Sequence, residues 1–297
     1  MNGFVLSGGA NLGAEQAGMI EALLEAGITP GVLVGTSIGA ANASFLAGDP
    51  TLERARELSS LWRRVRPRDV FPLNPVRIAG AIARGGALFS ADPFRRLLER
   101  EIPYDRIEEA PVVLRIVATD FETGDEVVLG AGPVVDGILA SSALPGIFPP
   151  HEVAGRLYLD GGLVDQVPIQ PAIDAGADTI YVLSVGFPCP PPADHRSARS
   201  VLMHSVGILL SQRLRTDEAH LPEHNPSVRI ITIPPVCTQV GLRDFSRFET
   251  MIRRAREQTT AFLAGLPALE HGHAARAAGT GEEIPTLVGR RGSPSVA

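Results

Sequence analysis

The sequence contains no lysine, so all 27 basic residues are arginine. With abundant alanine, glycine and proline, that absence reads as the coding bias of a GC-rich genome rather than as chemistry. Cysteine is nearly absent too. Cys189 and Cys237 stand alone without metal-ligand spacing; they could pair in a secreted protein, but two thiols in a chain this size read as reduced core or surface residues. Net charge is small, −6, which excludes an acidic disordered chain and a protein built to coat nucleic acid. The N-terminus lacks a basic region followed by a long apolar one, so no signal peptide is expected. The uncharged run 27–48 is long enough to suggest a membrane span. Pro30, Gly31, Gly35, Thr36, Ser37 and Asn42 interrupt it and argue instead for a buried strand, turn and helix. A cytoplasmic location follows as an expectation.

What is present is enough apolar residue, 44% of 297, for a substantial core. Strand and helix patterns alternate. GFVLS (3–7), GVLVG (31–35), PVVLRIVATD (111–120), DEVVLG (125–130), RLYLD (156–160), TIYVLSVG (179–186) and SVRIITI (227–233) read as strands. AEQAGMIEALLEAG (14–27), residues 38–48, PIQPAIDAGA (168–177) and residues 245–265 read as helices. Such alternation predicts an α/β fold with a mostly parallel sheet covered on both faces. Residues 1–269 form the expected body. Residues 270–297 lack periodicity and are expected as a mobile tail.

Residues 54–100 break the pattern. They hold eleven arginines against Glu57, Asp69, Asp92 and Glu99, with Trp62, Phe71, Phe89 and Phe94 interleaved. A solvated helical insertion is one reading. The other is a cap-like, electropositive and partly apolar surface making peripheral contact with anionic lipid headgroups.

Gly35-Thr36-Ser37-Ile38-Gly39 joins a strand to a helix, the pattern of a nucleophile elbow. The flanking Gly35 and Gly39 permit a reversal that Cβ atoms would block, leaving the Ser37 hydroxyl at the tip. The helix that follows aims its free N–H groups at developing negative charge. One strand earlier, SGGANLG (7–13) closes a neighbouring strand, so the N–H groups of Gly8, Gly9 and Ala10 are candidate oxyanion donors and Gly13 ends the loop. The loop lacks the middle glycine of a dinucleotide fingerprint, which argues against nucleotide binding.

A serine nucleophile needs a base. Histidine is the usual one, yet His195, His204, His220 and His224 sit in unpromising settings, and only His151, after PGIFPP, has a plausible approach. Asp160 is better placed, at a strand end before Gly161-Gly162, where glycines permit close backbone approach. A carboxylate is a weak base in water and becomes a useful one when partly desolvated and fixed at hydrogen-bond distance. Asp120, Asp165, Ser141 and Ser142 read as structural.

Taken in order, SGGANLG, GTSIGA, ATDFETGDEVVL, ASSALPGIFPP and LDGGLVDQVPI resemble the patatin-like phospholipase family over about residues 3–265. The resemblance implies a three-layer α/β/α sandwich and a Ser–Asp dyad, with Ser37 as nucleophile and Asp160 as base. Gly8, Gly9 and Ala10 match the oxyanion loop. It implies hydrolysis of lipid acyl esters through an acyl-serine, without metal or cofactor. Two positions depart from the family pattern: Ala10 restricts a backbone position that is normally glycine, though its N–H still donates if φ is negative; Leu12 stands where a cation is usual. The alternatives are a Ser-His-Asp esterase or acyltransferase using His151, and a catalytically silent lipid-binding protein. Headgroup, acyl position and oligomeric state are not encoded legibly.

Overall fold

Near-continuous runs of Val, Leu and Ile make strands that must be covered on both faces. The computed structural model describes residues 1–84, 86–186, 224–238, 240–241 and 243–266, with 201, 205, 208, 216, 220 and 221. The expected tail and the settings of His195 and His204 lie outside the described residues. Five parallel strands, running to one end of the order, make up most of an eight-stranded sheet. They are β1 (Asn2–Leu6), β2 (Val32–Thr36), β3 (Val113–Asp120), β7 (Thr179–Leu183) and β8 (Arg229–Thr232). Three further strands, β4 (Glu126–Leu129), β5 (His151–Val153) and β6 (Arg156–Asp160), pair antiparallel. The order is β5-β6-β3-β2-β1-β7-β8, with β4 on β3. Val5, Val32, Val34, Val117, Ile180 and Val182 pack on one face with Ile169 and Ala172 of α8 (Ile169–Asp174). The alternating residues Phe4, Leu6, Leu33, Ile116, Tyr181 and Leu183 are equally buried and point the other way. Helices α1 (Gly13–Glu25), α2 (Ile38–Ala47) and α9 (Phe248–Ala264) complete the layers, α1 packing on α9 and α2 on β1, β2 and β3.

The pairing of β3 brings two distant ends together. One edge of β3 carries β2 up to Thr36 opposite Val117. On the same edge β6 takes over at Asp160 opposite Ala118, because β4 occupies the other edge along Ile116–Thr119. The end of β2 and the end of β6 therefore abut at consecutive positions of one strand, and each runs straight into a turn.

Two elements escape sequence reading. Strand β5 is only three residues long, and α7 (Val134–Ser141) is short and interrupted by Gly137. Residues 52–101 are helical, as expected: α3 (Leu52–Arg64), α4 (Pro67–Val70), α5 (Pro75–Arg84) and α6 (Asp92–Glu101). Their aromatics are not a lipid-facing set. Trp62, Phe71, Phe89 and Phe94 are all buried. Trp62 meets Phe248 edge-on, and Phe71 stacks on Phe148 at 5.6 Å. Many of the arginines are spoken for: Arg54, Arg56, Arg63, Arg95 and Arg100 pair with Glu57, Glu25, Glu249, Asp136 and Glu101. Cys237 is disulfide-bonded, against the expectation of a reduced thiol; separation along the chain says nothing about approach in space.

Candidate active site

At the end of β2 the backbone of Ser37 takes φ +55° and ψ −122°, a region that costs a residue with a Cβ about 1–3 kcal/mol. The turn has no room to relax. A Cβ on Gly35 would lie 2.4 Å from the Gly39 carbonyl carbon, and one on Gly39 would lie 2.2 Å from the Leu6 oxygen. The strained serine therefore stands between positions that only glycine fits, and α2 starts directly after it. Ser141, at the end of α7, holds the turn from beneath: its buried hydroxyl accepts the Ser37 N–H at 2.7 Å and donates to the Val117 carbonyl. Ser141 was expected to bond backbone, and it does; that its partner is the strained serine was not legible.

The Ser37 hydroxyl donates to Asp160 Oδ2 at 2.7 Å. The other carboxylate oxygen, Oδ1, accepts the Gly162 N–H at 2.8 Å. The backbone of Asp160 is fixed on both sides, since its N–H donates to the Ala143 oxygen at 3.1 Å and its carbonyl accepts the Thr119 hydroxyl at 2.8 Å. Gly161 passes so close to β3 that a Cβ would sit 2.2 Å from the Val117 oxygen. Burial pushes the Asp160 carboxyl up to about 6; the Ser37 hydroxyl and the Gly162 N–H oppose that rise without cancelling it. A carboxyl in this state is ionised near neutrality and far more basic than one in water.

The glycine-rich loop differs from expectation in two ways. The Gly8 N–H donates to the Gln166 carbonyl at 3.0 Å and is unavailable to an oxyanion. Among the described residues no acceptor engages the N–H of Gly9 or of Ala10. Ala10 has φ +49°, not a negative value. The loop turns there through the left-handed region, which explains why glycine suits that position, and alanine bears a cost of about 1–2 kcal/mol. Gly13 opens α1, and a Cβ there would meet Ile38 Cγ1 at 2.6 Å, so the loop and the elbow are in direct packing contact.

His151 is not joined to the serine. It lies on β5 with Nε2 3.0 Å from Asp136 Oδ1, an oxygen that also accepts Arg95 at 2.6 Å. The histidine expectation fails because β5 turns this side chain toward α6 and α7. Asp120 is structural as anticipated: it accepts the N–H groups of Glu122 and Thr123 and pairs with Arg156.

A strained serine turn thus closes β2 of the parallel sheet and is bonded to a buried aspartate. The patatin-like phospholipase model matches residues 4–173, and the chain belongs to that family. It is 35% identical over 179 residues to an uncharacterized NTE family protein of Mycobacterium tuberculosis, covering 60% of this chain and 47% of that protein. It is 30% identical to a lysophospholipase of Aspergillus terreus, over 62% of this chain and 12% of that one. The chain thus spans about half the length of the mycobacterial relatives it matches. Among solved structures it is similar to VipD from Legionella pneumophila, with TM-score 0.46 and 16% identity over 89% of this chain and 66% of that one. Among the described residues no helix is long and apolar enough to cross a membrane.

Proposed function

We propose that this chain hydrolyses acyl esters of phospholipids, lysophospholipids or related lipids with Ser37 as nucleophile and Asp160 as its base. The observation that carries the reading is the 2.7 Å bond from the strained serine to a buried carboxylate whose own backbone is pinned. Ser37 Oγ attacks the acyl carbonyl while Asp160 Oδ2 takes its proton. The tetrahedral oxyanion lies against the N–H groups of Gly9 and Ala10 and the start of α2. Protonated Asp160 returns the proton to the departing alkoxide, releasing the alcohol and leaving acyl-Ser37. A water then enters, Asp160 takes its proton, the hydroxide attacks the acyl carbon, and fatty acid departs as Ser37 recovers its proton. Burial makes the Asp160 carboxylate basic enough to accept the proton, and at about 6 the protonated acid is still strong enough to return it.

Fluorophosphonate labelling tests the nucleophile. Wild-type protein labels and Ser37→Ala does not, with release of fatty acid from phospholipid and lysophospholipid lost in parallel. Labelling that survives in Ser37→Ala overturns the assignment. Vesicle binding without hydrolysis of any ester tested favours a silent lipid-binding protein instead.

A further inference from the structure

The excursion from Pro72 to Ala87 differs from every other part of the arginine-rich segment. It leaves the body at Phe71 and rejoins it at Leu88, and both ends are fastened to one wall. Phe71 stacks on Phe148, Leu88 N–H donates to the Gly146 oxygen at 3.0 Å, and Phe89 N–H donates to the Ile147 oxygen at 2.9 Å. That wall continues from Ala143, whose carbonyl holds the N–H of Asp160. The excursion that carries α5 is therefore tethered at both ends to the segment that leads to Asp160.

Its surface is unlike that of an ordinary exposed helix, whose outer face is polar. Val76 is 82% exposed and Leu73, just before the helix, 60%. Ala79 and Ala83 are exposed on the same face, while Ile78 and Ala81 are half-buried. From Val70 to Ala91 the chain has no Asp or Glu, and its only charges are Arg77 and Arg84. Both are exposed, and among the described residues neither pairs with a carboxylate, in contrast to Arg54, Arg56 and Arg63 of α3 and Arg95 and Arg100 of α6. Asn74 caps the helix by accepting the Arg77 N–H at 3.1 Å, so the apolar face is held as a helix.

We propose that α5 with Leu73 is an interfacial docking helix for an anionic phospholipid surface. Leu73 and Val76 enter the boundary between headgroups and acyl chains, and Arg77 and Arg84 meet lipid phosphates. The proposal rests on the lipid acyl hydrolase reading, because it brings the segment that leads to Asp160 to the surface where the substrate resides. Charge complementarity selects the occupant: an uncompensated cationic pair beside exposed leucine and valine, with no acid to repel phosphate.

The test separates docking from chemistry. Sedimentation with vesicles of phosphatidylcholine, alone or mixed with phosphatidylglycerol, is measured in a Ser37→Ala background so that no lipid is consumed. Leu73→Glu/Val76→Glu lowers binding about tenfold or more to both kinds of vesicle. Arg77→Gln/Arg84→Gln removes the preference for phosphatidylglycerol and flattens its salt dependence. With Ser37 intact, the same doublets hydrolyse soluble p-nitrophenyl butyrate within about twofold of wild type, while hydrolysis of vesicle phospholipid falls with binding. Parental binding by the glutamate doublet overturns the proposal. So does a protein that binds neither vesicle, or a doublet that only dissociates a dimer on size exclusion. If wild type fails to hydrolyse p-nitrophenyl butyrate, the acyl hydrolase reading fails, and vesicle binding still decides the role of α5.

Discussion

The turn at Ser37 and the segment from Leu52 to Glu101 carry information of different kinds. At the turn each residue is dictated by a neighbour a few ångströms away: glycine before and after, serine between, aspartate opposite, a second serine underneath. In the segment only a running composition is visible, many arginines and several aromatics, and composition does not say which way a side chain points. The structure buries those aromatics and pairs many of the arginines, while among the described residues Arg77 and Arg84 of α5 are exposed and meet no carboxylate. Sites defined by steric exclusion reach the sequence as motifs; surfaces defined by exposure do not.

The sharpest way to break the contrast is to remove the charge at its buried centre. Asp160→Asn preserves shape: the amide oxygen can still accept the Gly162 N–H, and the amide nitrogen can donate to Ser37 Oγ. The turnover number should fall about a hundred- to ten-thousand-fold, read from p-nitrophenyl ester hydrolysis. Stability should move the other way. The folded carboxyl titrates near 6, above its ordinary value of 3.8, so the folded state holds the proton more tightly than the unfolded one. The penalty of burying the charge is absent below pH 4, grows between pH 4 and 6, and is complete above, amounting to about 3 kcal/mol before other effects. Asp160→Asn should therefore raise Tm at pH 8 and lose that advantage at pH 4. In wild type, kcat/KM should climb with pH through an apparent value near 6. A rate flat from pH 5 to 8, or a variant equally destabilised at both pH values, would remove Asp160 from the role of buried base.

Ser141 tests whether the elbow is held as well as built. Ser141→Ala leaves the Ser37 N–H and the Val117 carbonyl short of a partner, at a cost of about 1–3 kcal/mol for each buried group left unsatisfied. As a positioning residue it should lower kcat about tenfold with KM within about twofold, and slow fluorophosphonate labelling equally. A fall in Tm with kcat unchanged would reduce Ser141 to a structural role.

How much of this was legible follows from the same contrast. The central strands were legible because burial on both faces forces apolar runs with sharp ends at glycine. Ser37 and Asp160 were nominated by the glycines around them, residues that tolerate no Cβ. The abutment of β2 and β6 on one edge of β3 was not legible, since register is a property of pairs and each strand reads the same alone. Neither was α7, because Gly137 weakens its helical signal, although it carries Ser141. His151 looked plausible because it follows PGIFPP and lies shortly before the motif around Asp160, but that proximity in sequence placed it on the other strand of a hairpin, with Asp136. The engagement of Gly8 depended on a carbonyl 158 residues away (166 − 8), at Gln166.

Ala10 offers the smallest and most exacting comparison, because there the chain departs from the motif while adopting a backbone that suits glycine. With φ at +49° the residue bears the strain that glycine would avoid, about 1–2 kcal/mol. Replacing it by glycine also loosens the unfolded chain, which returns roughly 0.4–1 kcal/mol of that gain. Ala10→Gly should thus stabilise by somewhat under 1 kcal/mol, visible as a small rise in the urea midpoint at constant slope. The N–H keeps its direction if the loop already sits in the productive turn, so kcat should change by no more than about twofold. A large gain in kcat would mean instead that alanine holds the loop away from its working geometry. The departure from the motif would then limit the chemistry itself and not only the stability of the turn.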